Sequence, residues 1–279
     1  LVGLFSSLKI AFRQLKSLEI VAIMAVNKIF LKGKDRNHMS IMNWTKDETV
    51  AILTLTNGEN RQNLVFAKTL NAMLDEIIAD KSITALIITS NDPKNFSQGI
   101  DVEWIMGQAQ KNDHKPVVDF INEMDIVFKK LLLYPVPVIA AINGHAFGNG
   151  SILTCACDFR FMRSDKGFFC FPEVNIGIPF RWSMNAFVKK AIPIHILSQM
   201  QFTGNRFGAP ELEKNNIIVK ACANQEDLMA QSIAFAKTFQ KKRGILGEMK
   251  HRLYADIIKV LEGDYMPPDA KVTSLVIGD

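Results

Sequence analysis

Chemistry is first suggested by the stretch "AINGHAFGNGS", Ala141 to Ser151, where Gly144, Gly148 and Gly150 follow the apolar run Val136 to Ile142 and precede a helical pattern. Glycines between a strand and a helix can cradle phosphate. A Walker loop, however, needs a lysine before the Ser, and none lies in this turn; the dinucleotide fingerprint needs a glycine where Leu153 stands. A nucleophile elbow needs a Ser where Gly148 stands. A second stretch, "KNFSQGIDVEWI", Lys94 to Ile105, leaves the strand Ile83 to Thr89 in the same way, with Gly99 easing the turn. Two such turns can aim two backbone N–H groups at one point. That is an oxyanion hole, in which each donor contributes about 2.7 to 4 kcal/mol to the stabilisation of charge developing on an acyl oxygen. The donor of the later turn also sits at a helix start, where the dipole favours an anion. An acid, Glu173, follows in "FCFPEVNIGIP"; by itself it reads as a carboxylate in a proline-led turn, held by local amides.

The elements that must carry these turns alternate. "TVAILTLTN", Thr49 to Asn57, is a strand closed by an Asn-Gly turn. Asn63 to Asp80 sets Leu64, Leu70, Met73, Leu74, Ile77 and Ile78 on one helical stripe, ahead of the strand Ile83 to Thr89. Pro116 opens a helix to Leu133, ahead of the strand at Val136. This alternation predicts an α/β fold. After the glycine turn come a short helix, a strand at Asp158 to Met162, and short extended pieces over Gly167 to Pro179. From Arg181 the pattern is helical and without strands, so this end must pack on the core or on another subunit. The expected organisation is a basic extension over 1–38, a core over 39–193, a helical region over 194–261 and a loose tail over 262–279.

Bulk composition narrows the classes. With 279 residues, 48% of them hydrophobic, the chain can bury a substantial core. Residues 1–38 hold seven Lys or Arg against two acids, which accounts for the whole formal charge of +5. The rest is neutral, so nucleic acid is not an expected partner. Four dispersed cysteines make no disulfide scaffold and point to a reducing, cytoplasmic setting. The longest early apolar run, Ile20 to Val26, is too short for a membrane span. Cys155, Cys157 and Cys170 lack zinc spacing and read as buried thiols, so no metal is expected. His145 reads as packed, and Phe180, Trp182 and Phe187 as core or pocket wall.

Four stretches, "NFSQGID", "PVPVIAAINGHAFGNGSILTCACDFRFM", "FCFPEVNIGIP" and "FTGNRFGAPELEKNNIIVKAC", resemble the crotonase family, also called the enoyl-CoA hydratase/isomerase superfamily, in order and spacing. The resemblance implies a crotonase-like spiral of repeated ββα units with a helical C-terminal oligomerisation region, a homotrimer or hexamer, and an acyl-CoA thioester as substrate. Coenzyme A arrives as part of that substrate, so no separate cofactor is implied.

Carried over residue by residue, the oxyanion donors are the backbone N–H groups of Gln98 and Asn149, the latter standing where the family commonly has glycine. Gly99, Asp101, Gly148, Gly150 and Ile152 fall at substrate-binding positions, with Asp101 and Asp158 also read as structural acids that bond loop or helix-start amides. Of the two glutamates that hold water in the hydratases, one position is Glu173 and the other is Ile152, which cannot ionise. A single carboxylate suffices to shuttle a proton from C2 to C4 of a 3-enoyl-CoA, and burial would raise its pKa toward about 6 to 7. "MRSDKGFFCFPEVNIGIP" is similar to the same stretch of plant-type peroxisomal enoyl-CoA isomerases. An isomerase with Glu173 as catalytic residue is the expectation. Hydration with Glu103 or Asp101 as second acid is the runner-up, followed by a binding protein without turnover and by RNA binding through the basic segment. Arg181, Arg61, Lys250 and Arg252 are weak candidates for the coenzyme phosphates.

Overall fold

The computed structural model describes residues 41–266; the basic extension, 1–38, and the tail beyond 266 lie outside them. A six-stranded sheet runs in the order β1-β2-β3-β5-β7-β9 and a three-stranded sheet in the order β4-β6-β8. In the first, β1 (Met42–Asp47) is antiparallel to β2 (Val50–Leu55), and all later pairs are parallel: β3 (Ala85–Ser90), β5 (Val138–Ile142), β7 (Phe159–Arg163) and β9 (Lys220–Cys222). The second sheet collects β4 (Asn95–Ser97), β6 (His145–Phe147) and β8 (Phe169–Cys170), all parallel. Each long parallel strand β3, β5 and β7 is thus followed at once by a short strand of the other sheet and then by helix, which is the expected ββα repeat.

Alternate residues along the main sheet face opposite sides. Ala51, Leu53, Leu86, Ile88, Val138 and Ala140 join the larger core beneath α1 (Leu64–Ala79) and α3 (Lys115–Leu132). Val50, Ala85, Ile87, Ile139, Ala141 and Phe161 face the other way and are covered by Leu228 and Ala236 of α8 (Gln225–Lys237). Helix α1 starts where Asn63 accepts from the Phe66 amide, and α2 (Val102–Gln110) where Asp101 accepts from the Trp104 amide. These are side-chain N-caps of the kind that stabilise a helix by about 1 kcal/mol.

Helix α4 (Asn149–Ala156) is followed by α5 (Trp182–Ala191), α6 (Ile194–Thr203), α7 (Ala209–Lys214), α9 (Arg243–Leu253) and α10 (Ala255–Gly263). Two expectations change here, the strandless C-terminal end and the loose tail. The C-terminal region does contain a strand: β9 bonds to β7 and closes the main sheet, and only three residues long it lacks a readable alternation. The stretch Glu248 to Leu261 is broken at Tyr254 into α9 and α10. The start of the supposed tail is tied down, because Asn122 exchanges two hydrogen bonds with the backbone of Met266 (2.9 and 3.0 Å), while Ser183 donates to Asp264 through both its amide and its hydroxyl.

Candidate active site

The glycine turns end β4 and β6, neighbouring parallel strands of the small sheet, and so lie side by side. Gly148 has φ +52°, and a Cβ there would stand 3.0 Å from Oε1 of Glu173. No other residue adopts that conformation cheaply, and none would leave the carboxyl its place. Gly99, at φ +78°, lies against the second turn: a Cβ on it would meet the Phe147 carbonyl at 2.5 Å and the Asn149 amide at 3.2 Å. Gly150 abuts Ser97, whose carbonyl would be 2.5 Å from a Cβ. The two turns are therefore interlocked, with Glu173 beside them.

Asn149 opens α4, and its amide, at the first helical position, has no acceptor within the described chain. The other expected donor is different. The Gln98 amide donates to the Glu59 carbonyl (3.0 Å) and is unavailable, and the Gly99 amide faces Ser97 Oγ (3.2 Å). Two residues on, a parallel bridge runs from the Gln62 amide to the Gly99 carbonyl and from the Asp101 amide to the Gln62 carbonyl, both 2.8 Å. Among the described residues this leaves the Ile100 amide between them without an acceptor. The free pair is Ile100 and Asn149, so the Gln98 assignment is corrected to Ile100. Parallel strand pairing engages alternate residues, and a bridge predicted at Gln62 would have pointed to residue 100.

Glu173 opens a 3-10 turn, Glu173–Ile176, after β8. Its Oε2 is buried and has no partner among the described residues, and burial pushes its pKa up from 4.5 to about 7, its own backbone amide acting in the opposite sense. A cavity of about 400 Å3 is lined by Glu173, Ile178, Phe180 and Phe202 and reaches Asn185 and Gln201, whose side-chain amides bond to each other at 2.9 Å.

Other expected site residues have different tasks. Ile152 is fully buried in the main core and offers no surface to a ligand; it lies one helical turn past Gly148, where the repeat turns inward. The carboxylate of Asp101 is committed to the α2 cap and to Asn63 Nδ2 (3.2 Å), so it contributes structure and not substrate contact. Asp158 accepts from the Val138 amide and from Lys250, both partners buried. Arg181 binds Asp125 (2.8 Å) and Asp264 inside the protein, so neither Lys250 nor Arg181 is free for phosphate. Arg61 pairs with Glu59 and Arg252 with Glu248 at the surface. Glu103 is exposed on α2. Trp182, expected in the core or pocket wall, is 79% exposed, whereas Phe187 is core and Phe180 lines the cavity. His145, on β6, packs against the rings of Phe147 and Phe168, and burial lowers its pKa. Among the described residues no cluster of His, Cys, Asp and Glu could hold a metal, and no helix is long and apolar enough to cross a membrane.

A fold of ββα repeats with paired strand-end amides beside a buried carboxyl defines a class, and comparison with known proteins gives that class a name. The enoyl-CoA hydratase/isomerase family model matches residues 45–264, and the chain belongs to that family. The peroxisomal enoyl-CoA delta isomerase 2 of Arabidopsis thaliana is 26% identical over 217 residues, 75% of this chain and 90% of the relative. The mitochondrial enoyl-CoA hydratase domain-containing protein 3 of Rattus norvegicus is 26% identical over 230 residues, 82% of this chain and 74% of the relative. Among solved structures, the apo enoyl-CoA isomerase of Mycobacterium tuberculosis superposes with TM-score 0.72 at 22% identity, covering 81% of this chain and 96% of that one.

Proposed function

We propose that the protein shifts a double bond in enoyl-CoA thioesters, converting 3-enoyl to 2-enoyl, with Glu173 as the only acid-base group. The thioester oxygen lies between the Ile100 and Asn149 amides. Glu173 takes a proton from C2, and the electron pair delocalises through C1 onto that oxygen and along C3 and C4. The same carboxyl returns the proton at C4, leaving the double bond between C2 and C3 and the carbonyl restored. Atoms and charge balance without water. The observation that carries this reading is the carboxyl of Glu173 against Gly148, its pKa raised to about 7 by burial, with the apolar, buried Ile152 at the position where the resemblance to hydratases would put the other glutamate. A base poised near the working pH both accepts and releases a proton readily.

The test is to incubate the protein with a trans-3-enoyl-CoA and, separately, with a 2-enoyl-CoA, then to repeat both with Glu173→Gln. The expected result is 3-to-2 conversion without hydration, lowered by about 10^3-fold in the variant, and a wild-type kcat/KM that rises as pH increases through about 7. Undiminished turnover by the variant excludes Glu173 as the base, and hydration by the wild type excludes the isomerase reading. The implied homotrimer or hexamer is likewise a proposal. Ile245, Met249 and Leu253 are exposed apolar residues on α9 that a neighbouring subunit would cover, and sedimentation velocity tests it.

A further inference from the structure

The carbonyl-binding amides belong to separate turns, and one residue bonds to both. Gln62 is wholly buried, and its backbone brackets Ile100 through the bridge to Gly99 and Asp101. Its side chain reaches the opposite turn, where its Oε1 accepts from Asn149 Nδ2 at 2.6 Å. The direction of these bonds is fixed from below. Ser97 Oγ donates to the Asn60 carbonyl (2.7 Å), so it can only accept from Gln62 Nε2 (3.2 Å), which turns the Gln62 oxygen toward Asn149. Ser97, Gln62 and Asn149 are all buried, where an amide–amide bond is strong and an unmade one costly. Asn149 thus contributes twice: its backbone N–H is open to a ligand, and its side chain fastens that N–H to the strand-end turn bearing the other donor.

We propose that Gln62 is a positioning residue whose backbone bridge and side-chain bond to Asn149 together set the separation of the Ile100 and Asn149 amides. The inference rests on the oxyanion role given to those amides above. A misplacement of about 1 Å in such a pair costs on the order of 100-fold in rate, whereas binding of the rest of the thioester is little affected.

The experiment compares wild type with Gln62→Leu, Asn149→Gly and the double variant, reading kcat, KM and urea stability. A second readout is the infrared carbonyl stretch of a bound saturated acyl-CoA, which two well-placed amides shift to lower frequency. All three variants are expected to lose about 10- to 100-fold in kcat, by a similar factor because one interaction is removed each time. KM should stay within about threefold, and the carbonyl stretch should return toward its free value. In the double variant no amide is orphaned, so stability recovers while kcat stays low. Recovery of kcat together with stability would show a merely structural bond and overturn the proposal, as would a Gln62→Leu enzyme with wild-type kcat and stretch. If Gln62→Leu does not fold, Asn149→Gly and the double variant carry the same test. A wild type that shifts the carbonyl of a bound acyl-CoA but moves no double bond sinks the isomerase reading and leaves the infrared comparison to decide the role of Gln62. A wild type that binds no acyl-CoA sinks both.

Discussion

The two ends of helix α4 are treated in opposite ways. Every helix leaves up to four amides at its start and four carbonyls at its end without internal partners. At the end of α4 the carbonyls of its last three residues and of the capping Cys157 are answered: Arg160 donates to Thr154 and Cys157, and Lys190 donates to Cys155, Ala156 and Cys157, at 2.7 to 3.2 Å. Burial, with Arg160 nearby, holds the Lys190 ammonium down at about 8. At the start the Asn149 amide is left open beside the Gly148 turn, and Ser151 is drawn away to the Ala146 and Cys170 carbonyls. Eight residues make a marginal helix by themselves, so a buried Arg160 and a half-buried Lys190 anchor the closed end while the other end keeps an open amide. One end is closed by side chains, and the other is the end the proposed reaction would use.

That division can be broken most severely at the open end. Gly148→Ala places a methyl at a positive φ and within 3.0 Å of Glu173 Oε1, and kcat should fall by about 100-fold or more with the circular dichroism spectrum unchanged. Turnover within threefold of wild type would mean that the carboxyl does not need that space. At the closed end, Lys190→Met orphans carbonyls, so urea unfolding should show a loss of about 3 kcal/mol while kcat per folded molecule changes less than about threefold. A collapse of kcat at full stability would show that the two ends are not separable. The smallest effect concerns Glu173 and pH. Its folded pKa, about 7, lies above the ordinary 4.5, so the native state holds the proton more tightly than the unfolded chain. The associated stability is present at low pH and lost as pH rises through about 7. Glu173→Gln should therefore match the wild-type Tm near pH 4, below the unfolded pKa of 4.5, and exceed it by several degrees near pH 8.5, above the folded one.

The same contrast separates what the sequence disclosed from what it hid. The stripes Leu64 to Ile78 and the apolar strands at Ile83 and Val136 are long enough for periodicity to reveal them, and α1, β3 and β5 lie where that pattern places them. The family motifs carried Glu173 and Asn149 to adjoining positions, and the geometry sets Glu173 against Gly148. Short elements were not visible: β6 lies inside the glycine segment itself, where three residues, His145 to Phe147, cannot show alternation. Strand β1 has a polar, half-exposed face, "MNWTKD", that masks its partnership with β2. The capture of the Gln98 amide was hidden for another reason. Asn60 adopts φ +50° and bonds Ser90 Oγ and the Phe96 carbonyl, which folds the Glu59 carbonyl over the turn. That is a contact across more than thirty residues, carried by one Asn indistinguishable in sequence from any loop residue. Arg160 and Lys190 were equally silent, because nothing in "DFR" or "VKK" says that a cation will be drawn inward to meet carbonyls.

The burial that surrounds the closed end of α4 also governs its thiols. Cys155 and Cys157 are pushed up to about 11 and about 12, and Cys170 and Cys222 to about 12 and about 11, all by desolvation first. An electrophile that reacts only with thiolate therefore finds almost none on the native molecule. Alkylation at these four sulfurs becomes a stopwatch for transient opening, able to time the exposure of Cys222 separately from that of α4, which carries Cys155.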